Sequence, residues 1–239
     1  MTKVFSSTGT TVGLSAERTA IATPVSGMQF YETDTSTLYI YTGSAWVALA
    51  SAAAPPALQL INPTSVAGTG VTNSGGNITF SGSSTVSVNG MFTSTFDNYK
   101  LIINMTNNSV NGSMGLRMRS SGTDNSSSNY TYAGLNSYSG SAITSSVNSG
   151  GTTTSFLVHT MDTVNYANMP VTFEILQPFL SYRTTYYGFL PNPVSPQSYF
   201  DYIGGAMSVT TSYDGFSIFN GAGGTLSGNL RVYGYRNSI

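Results

Sequence analysis

Acid–base chemistry in this chain would have to be done by a few scattered carboxylates. Beyond the first quarter these are Asp97, Asp124, Asp162, Glu174, Asp201 and Asp214. No two stand at a spacing that local geometry brings together. A glycosidase pair, whose carboxyl groups sit about 5 to 10 Å apart, would therefore have to be assembled by the fold. The sequence has no Cys and a single histidine, His159. That removes thiolate nucleophiles, Cys-based redox centres and multi-histidine metal sites. A lone imidazole is ordinarily structural, and His159 is read so. The turn holding Glu32, Asp34 and Thr35 lacks the oxygen ladder of a calcium loop, and Asp34 is expected to cap that turn through backbone N–H groups. These residues predict no catalytic centre, no metal and no cofactor: the chain reads as a protein that is not an enzyme.

Binding chemistry is better supplied, by sixteen tyrosines. They cluster as Tyr130, Tyr132 and Tyr138, as Tyr182, Tyr186 and Tyr187, and as Tyr199, Tyr202 and Tyr213. Aromatic faces stack on sugar rings while neighbouring Asn and Ser bond the hydroxyls. Tyr130, Tyr132, Tyr138, Tyr186 and Tyr187 are thus candidates for a glycan site. The favoured alternative is that most of these rings fill a core or a subunit interface, with the OH groups at its rim.

The elements that would position such residues must form with very little charge. Only 7% of the 239 residues are charged, against roughly 25% in an ordinary soluble domain. Solubility then rests on Ser, Thr, Asn and Gly. With 12% aromatic residues, set among Val and Ile, there is material for a packed core, which a disordered low-complexity chain lacks. A net charge of -1 provides no basic field for phosphate backbones, so nucleic acid is not an expected partner. Nowhere do about 18 apolar residues run together, and Met1 to Ser6 lead into no signal-type apolar core, so no membrane insertion is expected. The chain is expected to be made in a cytoplasm and to reach its destination by assembly.

Periodicity then divides the chain. Met28–Tyr31, Leu38–Tyr41 and Trp46–Leu49 read as three short strands of a β-meander, joined by polar turns. Residues 1–49 are too few to bury a core, so this module needs copies from neighbouring subunits or a docking surface. Residues 50–57, rich in Ala and carrying Pro55 and Pro56, read as a semi-rigid linker. Residues 58–239 show recurrent two-residue alternation: Thr85–Val88, Tyr99–Ile103, Met114–Arg119, Phe156–Val158, Val171–Ile175, Gly215–Phe219 and Leu230–Tyr233. In Met114–Arg119 it puts Met114, Leu116 and Met118 on one face and both arginines on the other. No segment carries a capped helical pattern, so βαβ units are not expected. The fold class is all-β: a small meander, a linker, and an antiparallel, jelly-roll-like sandwich. Ser120–Asn129 and Ser139–Thr154 read as polar loops, and Pro191, Pro193 and Pro196 exclude a central strand.

One stretch resembles a module of bacteriophage tail fibres and related virion proteins. It runs from Gly13 through Arg18, Pro24, Gly27, Phe30, Tyr31, Asp34, Tyr39 and Tyr41 to Trp46, about a fifth of the chain. Its landmarks are an Arg, then Pro and Gly, an aromatic pair, an Asp-Thr turn, an aromatic strand and a Gly-x-x-Trp end. The segments Phe96–Leu101, Leu116–Arg119, Asn129–Tyr132 and Gly228–Tyr235 look like landmarks of β-sandwich domains in phage structural proteins. The resemblance implies a homotrimeric virion surface protein that attaches to other virion proteins through Arg18, Pro24, Phe30, Tyr31, Asp34, Tyr39, Tyr41 and Trp46. Its sandwich would touch the host surface, a glycan among the targets. No long glycine-repeat or heptad shaft is present, which keeps a capsid decoration or head fibre protein as an alternative to the tail fibre. A glycan-binding lectin or depolymerase is the alternative of a different class.

Overall fold

The computed structural model describes residues 9–49, 57–138, 143–161, 169–194 and 197–236. The chain falls into two compact units, Met1–Pro55 and Pro56–Ile239. The expected linker lies outside the described residues, apart from Ala57.

In the first unit β1 (Thr11–Gly13), the one-turn helix α1 (Ser15–Thr19), β2 (Gln29–Glu32), β3 (Thr37–Tyr41) and β4 (Trp46–Leu49) build a four-stranded sheet in the order β1-β2-β3-β4. The three strands of the expected meander are β2, β3 and β4, paired antiparallel. The fourth corrects that reading. β1 pairs parallel to β2, Thr11 opposite Phe30, so β1, α1 and β2 form a small βαβ crossover of the kind not expected. Five helical residues are too few to display a period of 3.6. What makes the helix is capping: the Leu14 N–H donates to Glu17 Oε2 at 2.9 Å and the Ser15 N–H to Asp34 Oδ1 at 3.0 Å.

The second unit contains β5 (Leu58–Leu60), β6 (Ser65–Ala67), β7 (Val71–Ser74), β8 (Asn77–Ser83), β9 (Thr85–Asn89), β10 (Phe96–Asn108), β11 (Gly112–Ser120), β12 (Thr123–Asp124), β13 (Tyr130–Tyr138), β14 (Thr144–Thr153), β15 (Phe156–Met161), β16 (Met169–Leu176), β17 (Thr185–Val194), β18 (Gln197–Met207), β19 (Gly215–Asn220) and β20 (Leu226–Arg236). A large sheet runs β14-β13-β18-β17-β16-β10-β20-β8-β7, with β5 also on β20. A small sheet runs β12-β11-β19-β9-β6, with β15 also on β11. All pairings in this unit are antiparallel, and the arrangement is sandwich-like.

The core shows why the sequence alternates. From the large sheet Tyr99, Leu101, Ile103, Val171, Phe173, Ile175 and Val232 are buried; from the small one Val86, Val88, Met114, Leu116, Met118, Phe216 and Ile218. Each set occupies every second position of its strand, and the burial of some thirty such side chains is the main stabilising term. Aromatic contacts tighten it: Tyr130 stands edge-on to Phe156 at 4.8 Å, and Tyr186 packs tilted against Phe156 at 4.2 Å. Gly205 makes room for this, since a Cβ there would meet the Tyr186 ring at 2.6 Å and the Thr131 carbonyl at 2.0 Å.

Three loop readings are corrected. Ser139–Thr154 contains β14, a polar strand at the rim of the large sheet. Its composition has no apolar face because an edge strand need not carry one. Ser120–Asn129 contains the two-residue β12, reached through Ser121 and Gly122, both at positive φ (51° and 79°). Pro191 and Pro193 do lie in a strand flanked on both sides, β17. Among the described residues they pair only with β18, because the β16–β17 ladder stops at the Thr172–Phe189 pair although β16 itself runs on to Met169. Beyond that pair one edge is open, and a missing N–H costs no ladder bond there. Pro196 falls outside the described residues.

Candidate functional site

The first unit gathers five of its eight candidate residues into one cluster. Period two puts Phe30 and Glu32 on one face of β2, opposite Tyr39 and Thr37 of β3, with Tyr41 and Trp46 paired beyond them. Phe30 and Tyr41 contact Trp46 with centroids 6.2 and 5.4 Å apart. Arg18, projecting from α1, closes the face: its Nε donates to Glu32 Oε1 at 2.6 Å and its guanidinium lies 4.0 Å above the Tyr39 ring centroid. Glu32 is 1% exposed, and its other oxygen accepts from the Thr35 hydroxyl at 2.5 Å. Sequence reasoning placed Glu32 in a turn and missed it as the buried partner of Arg18; its two-residue phase with Phe30 was the available signal.

Asp34 acts further away than its own turn. Its carboxylate accepts from the Ser15 hydroxyl at 2.6 Å and from the Ser15 N–H, and these bonds, with those from the N–H groups of Asp34 and Thr35, hold its carboxyl below the usual 3.8. Pro24 is half-buried in the connection from α1 to β2. Tyr31 points the other way. On that opposite face Val12, Tyr31, Leu38 and Leu49 form one cross-strand row, and Ile40 and Val47 sit beside it. Val12, Tyr31, Val47 and Leu49 are exposed. The sheet thus has one sealed face and one bare apolar face.

The tyrosine candidates do not form one surface. Tyr130 and Tyr186 are core residues, and a ring with no open face cannot stack on a sugar. The Tyr130 hydroxyl donates to the Asn125 carbonyl at 2.7 Å and accepts the Met118 N–H at 3.1 Å, while that of Tyr186 donates to the Leu157 carbonyl at 2.6 Å. Burial pushes both phenols above their ordinary range. Tyr187 is exposed on the outer face of the large sheet and donates to Glu174 Oε2 at 2.7 Å, raising its phenol. Tyr138 pairs with Tyr199 by backbone register; its side chain lies outside the described part.

Tyr132, half-buried, lines a cleft of about 350 Å³ at the edge of β15, together with Ser113, Thr153, Thr154, Ser155 and Phe219. That volume lies at the small end of ligand sites. The Phe219 ring rests on Gly115, where a Cβ would approach within 2.6 Å. Arg117 covers the ring at 4.5 Å and donates to the Thr154 carbonyl at 3.0 Å. Ser and Thr side chains and the aromatic residues Tyr132, Phe156 and Phe219 thus line one small space, two of whose lining residues, Phe219 and Thr154, are held by Arg117.

Asp124, Glu174 and Asp214 each accept hydrogen bonds that tie separate segments of the chain together. Asp124 accepts from Arg119 and, at 2.7 Å, from Ser217. Arg119 also reaches Ser87 and Asn89, so the β12 hairpin is tied across the outer face of the small sheet. Glu174 accepts from Tyr187 and Tyr235, and Asp214 from the Ser121 N–H. Among the described residues no group of three His, Cys, Asp or Glu side chains could hold a metal. Asp162 lies outside those residues, and His159 is placed only by its backbone, opposite Met114.

Fold and site define an all-β protein in which a small mixed sheet with one bare face precedes an antiparallel sandwich. No protein family, no curated protein and no solved structure matches the chain.

Proposed function

We propose that this chain is a bacteriophage virion structural protein of the tail-fibre type, a homotrimer that attaches through its N-terminal unit and presents its sandwich to the host surface. The observation that carries the reading is the one-sided N-terminal sheet. Arg18, Glu32 and Trp46 seal one face and leave Val12, Tyr31, Val47 and Leu49 exposed on the other, which suits a unit made stable by docking on a partner. The virion assignment is supported by the residue pattern from Arg18 to Trp46 that resembles phage fibre modules. Host contact is assigned to binding without turnover, and the cleft lined by Tyr132 and four hydroxyl side chains has the mixed lining that holds a saccharide.

The test is electron microscopy of whole particles labelled with an antibody against residues 58–239. Label at the tail is the expected result. Label over the capsid lattice replaces the fibre by a decoration or head fibre protein, and particles without label overturn the virion reading. Val47→Glu with Leu49→Glu is expected to leave the protein soluble and absent from particles.

A further inference from the structure

Among the described residues of the second unit, exposed apolar side chains gather on the outer face of its large sheet. Cross-strand register places Leu135, Tyr202, Phe189, Thr172 and Ile102 in one row over five adjacent strands. A second row holds Tyr187, Glu174, Lys100, Tyr233 and Leu60. Alternation explains both, because the residues between them, such as Phe173, Tyr186 and Ile203, face the core. Here, however, the outward positions are also apolar: Leu135 is 47%, Phe189 54% and Tyr202 52% exposed. The six Leu, Tyr and Phe side chains of the two rows present on the order of 600 Å², and with Thr172, Glu174 and Lys100 set between them and Arg231 opposite Ile102 the face approaches the ~800 Å² that one partner gives to a standard interface. A patch of that size stands at the top of the roughly 300–600 Å² that a typical monomer exposes, where such patches are often functional.

Two features select the occupant. A sugar platform needs open hydroxyls and acceptors between its rings, and here Glu174 already binds both the Tyr187 and the Tyr235 hydroxyl. Aliphatic Leu135, Ile102 and Leu60 interrupt the aromatic surface as well. A strongly charged partner finds no matching field, since the chain carries a net charge of -1 and 7% charged residues. Further copies of this chain meet neither obstacle, and three such faces turned toward one threefold axis, each meeting a different part of its neighbour, close as a trimer.

We infer that copies of this chain associate through the outer face of the large sheet, with Leu135, Tyr187, Phe189 and Tyr202 at the centre of the contact. This rests on the homotrimeric part of the function proposed above and gives that assembly its interface.

The experiment is light-scattering mass on the full chain at micromolar concentration, for the natural sequence and for Phe189→Glu with Tyr202→Glu. The expected result is a multiple of 25.1 kDa for the natural chain, about a threefold fall in mass for the double variant, and no change for Val110→Glu, an exposed position outside the face. A double variant that keeps the multimeric mass overturns the interface while leaving a multimer assembled through another surface. A natural chain at 25.1 kDa overturns interface and homotrimer together, and particle labelling tests the virion assignment separately. Hydroxyl-radical footprinting of the natural multimer needs no variant: Leu135, Phe189 and Tyr202 are expected to be several-fold protected relative to the diluted monomer. Equal labelling in both overturns the inference.

Discussion

Arg18 ties its unit together with one side chain, bonding Glu32 and covering Tyr39 at once. Arg18→Ala leaves Glu32 charged in a site 1% exposed, a loss on the order of 3 kcal/mol for a broken buried pair. Trp46, the single tryptophan, reads this directly through the denaturant midpoint of its emission. Arg18→Lys is expected to recover only part, because an ammonium cannot both bond Glu32 and lie flat on Tyr39. Asp34 gives the same unit an acid limit. Its carboxyl is lowered in the fold, so its contribution is present above the unfolded value of 3.8 and is lost as pH falls through the lowered one. Ser15→Ala removes the chief cause, and the acid midpoint of Trp46 emission is expected to move up. In the sandwich the sign is reversed. Tyr99, Tyr130 and Tyr186 are raised by burial above an ordinary 10.0. The stability linked to their neutral forms is present below 10.0 and is lost as pH climbs through the raised values. Tyrosinate absorbance from these rings is therefore expected to rise together with the loss of near-ultraviolet circular dichroism.

At the scale of elements, Tyr130 joins β13 to β11 and to the loop after β12. Tyr130→Phe strands the buried Met118 N–H and frees Asn125, with an expected cost of about 1 to 3 kcal/mol in thermal unfolding. The legibility of the fold follows the same physics. Strands with one wet face, β11 and β16 among them, announce themselves by alternation. β17 and β18 do not, because their outward positions, Phe189 and Tyr202, are as apolar as their inward ones, and a segment apolar at both parities looks aperiodic. β7 and β8 are hidden for another reason: their strands are Asn-, Thr- and Ser-rich, and the informative residues are the turn between them. Gly75 and Gly76, both at positive φ (58° and 93°), form the two-residue hairpin that Gly-Gly favours. In the N-terminal unit spacing gave the three meander strands and the resemblance named the residues of the aromatic cluster, whereas the bare face was not readable, since Val12 belongs to a three-residue strand that pairs across a crossover. The cleft could not be read at all: Tyr132, Ser113, Thr153 and Phe219 come from four strands.

At the scale of the molecule, two compact units, of which the second holds the apolar core cluster, imply two unfolding events. Trp46 emission reports the first and far-ultraviolet circular dichroism mainly the second, and their midpoints are expected to differ. The small number of charges predicts that both change little between low and high salt. The pairing of β5 with β20 carries a consequence for chain connectivity. Leu58 stands opposite Tyr235, so the first and last described strands of the second unit lie side by side. Ends that meet can be spliced: a few glycines joining them, with new termini opened at the Ser121-Gly122 turn, give a circular permutant that keeps every strand neighbour. Such a chain would let a cargo be displayed from the rim of the small sheet without disturbing either face of the large one.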